Sequence, residues 1–235
     1  MRSLPLLFLG IFFTLAFSWT GIVLVTNRQL NDLDPVSSTL TDATETPISG
    51  VTYEDPDTGV VLPGLNQANE PLYPQMVSGS ALRGQRVYEE MGCLYCHSQQ
   101  VRRKGFGSDF ERGWGQRQSV ARDYIMQSRV MLGTMRTGPD LANVGIRYDA
   151  TWQFQHLYNP KITSPYSIMP PYAFLFEEQK ISETRGPSPE AIVLPGDWAL
   201  EDGYELVPTQ RAKDLVAYLL SLQQEYELPE MKFEQ

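Results

Sequence analysis

At 235 residues, 42% hydrophobic and 20% charged, the chain has room for one domain of about 150 residues and further segments. Its formal net charge of −9 argues against nucleic acid as a partner, because binding a polyphosphate depends on neutralising it with Lys and Arg. The charge is unevenly placed: residues 98–137 carry eight Lys or Arg against three Asp or Glu, a local +5 that leaves −14 on the rest.

The first element is apolar. From Leu4 to Thr26 no residue is charged. As a helix rising about 1.5 Å per residue this run reaches roughly 35 Å, enough to cross the hydrocarbon core. It predicts a single transmembrane anchor over 4–26, with Trp19 near an interface. A cleaved signal peptide is the alternative, with Arg2 as its basic start, but the run is long for such a segment and no Ala-x-Ala pattern closes it. Arg2 and Arg28 flank the run one on each side, so positive charge does not orient it.

Residues 29–79 carry eight acidic residues, six prolines and no Lys or Arg. Turn signals at Asp57-Thr58-Gly59 and Pro63-Gly64 and the lack of a helical period predict an irregular Pro-rich, acidic strap or linker. Its apolar pieces, Val60-Val61-Leu62 and Leu72-Tyr73, suit a segment lying on another protein surface. A solvated linker is the other reading.

A domain over 80–222 follows. Ser80 is a candidate N-cap, and Leu82, Val87, Tyr88 and Met91 form an apolar side on a helix ending at Gly92, with Gly84 permitting a close crossing. Immediately after it stand the chain's two cysteines, in Cys93-Leu94-Tyr95-Cys96-His97. This spacing is that of a c-type haem attachment site, each thiol forming a thioether to one vinyl group and the adjacent imidazole serving as axial ligand. A thioredoxin-like pair would need a helix after the cysteines and not before them. A zinc site would need four ligands, and beyond these three residues the chain offers one further His and no Cys. One covalently attached haem c is therefore expected. Such attachment takes place outside the cytoplasm, which puts the residues after Arg28 on the periplasmic or outer face of a cell membrane.

Residues 98–137 read as a basic insertion. Arg136 and Arg147 are candidate partners of haem propionates, with Trp152 as an indole N–H donor; the remaining basic residues fit a docking interface or a solvated surface. Trp152 to Tyr158 predicts a short helix stopped by Asn159-Pro160, with His156 on it. Met169, between Ile168 and Pro170-Pro171, is the candidate sixth ligand, and His156 is its rival. Residues 176–208 read as an elaboration in which Ala191–Leu194 and Tyr204–Val207 form a short strand pair. Ala212, Leu215, Val216, Leu219 and Leu220 then give an amphipathic helix capped by Thr209, and 223–235 an exposed acidic tail.

The helix pair, the attachment site between them and the methionine loop resemble a class I cytochrome c. The resemblance implies a mostly α fold in which the first and last helices cross at Gly84, Tyr88, Leu215 and Tyr218, and in which the Pro139 carbonyl accepts the Nδ1 hydrogen of His97. More closely, Cys96-His97-Ser98-Gln99-Gln100-Val101-Arg102, Arg136-Thr137-Gly138-Pro139-Asp140-Leu141, His156-Leu157-Tyr158-Asn159-Pro160 and Met169-Pro170-Pro171-Tyr172 resemble the monohaem subunit II of cbb3-type cytochrome c oxidases. That family implies electron transfer from a donor cytochrome c, or a further haem c subunit, to a polytopic haem-copper catalytic subunit. No bond-making residue is expected in this chain, since a six-coordinate iron leaves no open position. A free-standing membrane-anchored carrier and the haem c subunit of a nitric oxide reductase are the alternatives, with a thiol oxidoreductase more distant.

Overall fold

The computed structural model describes residues 3–41, 47–49, 53–54, 61–62, 72–77, 79–133, 135–182, 184 and 186–230. The chain divides into two units, one of residues 1–75, 120–128 and 227–235, the other of residues 76–119 and 129–226.

The first unit begins with one continuous helical run, Leu4–Asn31, made of α1 (Leu4–Ser18), a π turn at Trp19–Leu24 and α2 (Val25–Asn31). Through α1 it is apolar on every side, it buries none of its side chains against protein, and it is long and apolar enough to cross a membrane. The run extends five residues past the expected end at Thr26, because Asn27 to Asn31 continue the backbone ladder into a polar turn. Further on, short strands stand among the described residues of the stretch expected as an irregular strap. β1 (Val36–Thr41) pairs antiparallel with β2 (Pro47–Ser49) and β5 (Leu72–Tyr73), and β3 (Tyr53–Glu54) pairs with β4 (Val61–Leu62). Of the short apolar pieces, Val61–Leu62 and Leu72–Tyr73 are strands, and Leu72 is buried, as is Val36 of β1. The turn signals at 57–59 and 63–64 lie outside the described residues. In the same unit Arg122 bonds the Glu230 carboxylate at 2.8 Å and the Asp34 carbonyl.

The second unit is mostly helical. Its frame is the crossing of α3 (Gly79–Glu90) with α6 (Gln210–Ser221), as expected from the spacing of their apolar residues. Gly84 sits where the backbones meet: a Cβ there would lie 1.8 Å from the Asp214 carbonyl oxygen and 2.8 Å from Tyr218 Cβ. Beside this contact the Tyr88 and Tyr218 rings pack edge to face at 5.4 Å, and Arg83 grips Asp214 with two bonds of 2.8 and 2.9 Å. Thr209 caps α6 through Ala212 N, as its sequence position implied. Between these helices in sequence lie α4 (Val144–Arg147) and α5 (Ala150–Tyr158), the latter capped by Asp149 through Trp152 N at 2.8 Å. Leu157, Leu175, Leu215 and Leu219 belong to the shared core, each worth about 1.5–3 kcal/mol of burial.

Two expectations are corrected in this unit. β7 (Tyr204–Pro208) pairs with β6 (Phe176–Lys180) and not with 191–194, which meets it by a single bridge from Ile192 to Leu206. Pro195 ends the 191–194 stretch before a ladder can form. The exposed tail expected at 223–235 is corrected for Gln224 and Tyr226, which are tied back to this unit, while 231–235 lie outside the described residues. Gln224 N donates to Asn143 Oδ1 at 2.7 Å, Arg117 Nε to the Tyr226 carbonyl at 2.9 Å, and Ser119 Oγ to Gln224 Oε1 at 2.7 Å. The acidic side chains counted in that stretch concealed the backbone groups that hold it down.

Candidate cofactor site

Gly92 adopts φ +72° and turns the chain out of α3 into a short 3-10 turn, Cys93–Tyr95. The turn closes with His97 N donating to Cys93 O at 2.9 Å, which brings Cys93, Cys96 and His97 onto one wall of a cleft of about 590 Å³. Both thiols are free, and burial pushes that of Cys93 up to about 11, so it stays protonated at neutral pH. The Tyr172 side chain hydrogen-bonds this thiol.

His97 is set by its outer nitrogen. Nδ1 lies 2.7 Å from the Pro139 carbonyl, an atom that only accepts, so Nδ1 carries the proton and Nε2 keeps its lone pair. Burial lowers the imidazole pKa, which also favours the neutral ring. Gly138 lies flat against that ring: a Cβ would stand 2.3 Å from His97 Cε1. Asp140 anchors the loop from below, accepting from Ser98 Oγ at 2.7 Å, Gln100 N at 2.8 Å and Ala142 N at 2.9 Å.

Met169 borders the same cleft, half-buried, on a loop held to the end of α5 by Tyr172 N donating to Leu157 O at 2.8 Å. Val144, Leu157, Leu215 and Leu219 make the back of the cleft apolar. Along one side run Tyr148, Trp152 and His156, spaced four residues apart so that their rings stack: 3.7 Å at 8° between the first two and 4.5 Å at 12° between the last two. The Arg147 guanidinium lies 5.0 Å from the Tyr148 ring centre.

Of the residues singled out from sequence, Cys93, Cys96, His97, Pro139, Arg147, Trp152 and Met169 meet at this cleft. Arg136 does not. Its guanidinium bonds Asp109 at 2.6 Å and the Gln100 carbonyl, and approaches Asp140 at 3.5 Å, so it knits the polypeptide together away from the cleft wall. Gln153 is the residue sequence reasoning passed over. It is 2% exposed in the cleft wall, and its Nε2 has no hydrogen-bond partner among the described residues. Only its position on α5 between Trp152 and His156 could have drawn attention to it.

The donors suit a metal carried inside a flat organic ring. Two thiols, an imidazole lone pair and a thioether converge on an apolar slot with a polar side, and the unpaired Gln153 amide offers a donor to an occupant. No group of three or more His, Cys, Asp and Glu that could hold a bare ion is found among the described residues.

Comparison with protein families matches residues 72–191, about half of the chain, to the description "Cytochrome C oxidase, mono-heme subunit/FixO". The match takes in every cleft residue named above except Leu215 and Leu219. A search of curated proteins finds no match.

Proposed function

The chain belongs to the mono-haem subunit (FixO) family of cytochrome c oxidase, and from that premise we propose that it is the membrane-anchored electron-transfer subunit of a cbb3-type enzyme. It takes electrons from a donor cytochrome and passes them to the polytopic haem-copper subunit. The observation that carries this reading is the convergence of Cys93, Cys96, His97 and Met169 on one apolar cleft.

A haem bound there supplies one-electron exchange at its iron. Cys93 and Cys96 would hold it through two thioethers to its vinyl groups. His97 presents Nε2, and the Pro139 carbonyl fixes the ring and raises its basicity. Met169 would present a soft, neutral sulfur, a donor that favours the reduced metal. Arg147 and Trp152 offer a cation and an N–H donor to the propionates. The Leu157, Leu215 and Leu219 side chains exclude water from the slot, which keeps the surroundings unchanged when charge moves. The Leu4–Asn31 helix anchors the subunit, with the cleft on the periplasmic or outer side, where haem is attached.

The test is intact mass and visible spectroscopy on the protein purified gently from its own membranes. A haem mass increment that survives denaturation, a reduced c-type spectrum and a co-purifying polytopic haem-copper subunit are expected. A covalent haem with no such partner would indicate a free-standing carrier, and absence of haem would overturn the reading.

A further inference from the structure

The chain has only two histidines, His97 and His156, and both form part of the same cleft. They are held in the same manner. His97 donates through Nδ1 to a proline carbonyl, and His156 Nδ1 lies 2.6 Å from Thr163 Oγ1, whose own hydroxyl is directed to the Pro160 carbonyl at 3.4 Å. A Thr163 hydroxyl directed to that carbonyl accepts from Nδ1–H, the arrangement in which Nε2 keeps a lone pair. Nε2 has no hydrogen-bond partner among the described residues. Metal-bound histidines are oriented in this way, by a hydrogen bond from the nitrogen that does not coordinate.

Three further observations bear on its use. The ring is fixed in plane by stacking on Trp152. His156 lines the cleft together with His97 and Met169. Thr163 and the Met169 loop leave the same end of α5, and Tyr172 N ties that loop to Leu157, the residue after His156. An imidazole that served only to fill the core would need no free nitrogen at a cofactor cleft.

We infer that His156 is a reserve axial ligand, which takes the sixth position on the haem iron when the Met169 thioether leaves it. The exchange breaks one iron–sulfur bond and forms one iron–nitrogen bond, with one neutral donor replacing another and no proton or electron consumed. It rests on the reading of Met169 as the resting ligand. Two imidazoles favour the oxidised iron more than imidazole and thioether do, so the swap lowers the potential and halts the relay while keeping the iron closed to small molecules.

The experiment uses the full chain with its haem, purified from membranes, as wild type, Met169→Ala, His156→Phe and the double variant. Haem loading is checked by pyridine haemochrome, and the ferric state is read by visible and electron paramagnetic resonance spectra. Wild type should show the sulfur-to-iron charge-transfer band. Met169→Ala should lose that band yet remain low-spin, and the double variant should become high-spin and return to low-spin on adding imidazole. A high-spin Met169→Ala protein, or a double variant as low-spin as the single, would overturn the reserve role and leave the Met169 assignment standing. Wild type without the band, turned high-spin by His156→Phe alone, would overturn both. Should His156→Phe fold poorly, His156→Gln makes the same comparison.

Discussion

Gly138 can carry no side chain where it stands, because the methyl group of an alanine would fall 2.3 Å from the His97 ring. Gly138→Ala should therefore tilt the imidazole away from Pro139, lowering stability by about 1–3 kcal/mol and altering the haem spectrum in the ligand-sensitive bands. An unchanged ferric spectrum would count against the placement of His97. Asp109 makes a second residue-level case. Buried, it accepts from Arg102 N at 2.8 Å, from the Arg102 guanidinium at 3.1 Å and from Arg136 at 2.6 Å. Burial alone would raise its pKa, but the Arg136 and Arg102 bonds outweigh that and hold it below the ordinary aspartate range. Since the folded value lies below the unfolded one of about 3.9, its stabilisation is complete above that pH and fades as pH falls through the folded value. Asp109→Asn should cost about 2–3 kcal/mol in urea unfolding at pH 7, and the gap to wild type should narrow below about pH 4. The cysteines and His97 could be read from sequence because two cysteines in such spacing have few uses. Asp109, Asp140 and Gln153 could not, because their importance comes from burial that only the tertiary fold creates. The partners of Arg136 could not be read either, for the same reason: a positive charge in a sequence does not reveal which carboxylate it will meet.

Among the elements, the α3–α6 crossing depends on the bare backbone of Gly84 against Asp214 and Tyr218. Gly84→Ala places a carbon 1.8 Å from a carbonyl oxygen belonging to a helix that cannot yield alone, so a loss of about 3 kcal/mol or more is expected. A wild-type denaturation midpoint for this variant would show that the helices cross elsewhere. This crossing was legible because i, i+3, i+4 spacing and a threonine cap are local signals carried by neighbouring residues. β6 was not. Phe176-Glu177-Glu178-Gln179-Lys180 has little strand propensity, and its partner stands at 204–208. The pairing of β1 with β5 joins Val36 to Tyr73 in the same long-range way, which explains why a strap was expected there.

For the molecule as a whole, five of the eight basic side chains at 98–137 find polar partners within the fold. Arg102 and Arg136 share Asp109, Arg129 reaches Glu89 at 2.5 Å, Arg122 holds Glu230, and Arg117 is bonded to the carbonyls of Gln118 and Tyr226. The chain's net charge of −9 favours a basic partner. Electron transfer from a basic donor cytochrome should thus slow steadily as ionic strength rises from about 10 to 200 mM, with stopped-flow rates as the measure. A rate that climbs with salt would reject that pairing. The bonds made by Gln224 and Tyr226 have a bearing on the order in which the protein matures. Val101 N rests on Ser119 Oγ, Ser119 Oγ on Gln224, and the buried Arg117 on Tyr226, so the stretch beyond the cysteines receives its last partners from residues synthesised over a hundred positions later. A nascent chain therefore leaves Cys93 and Cys96 accessible until the residues at 224–226 have been made and the stretch beside them can close.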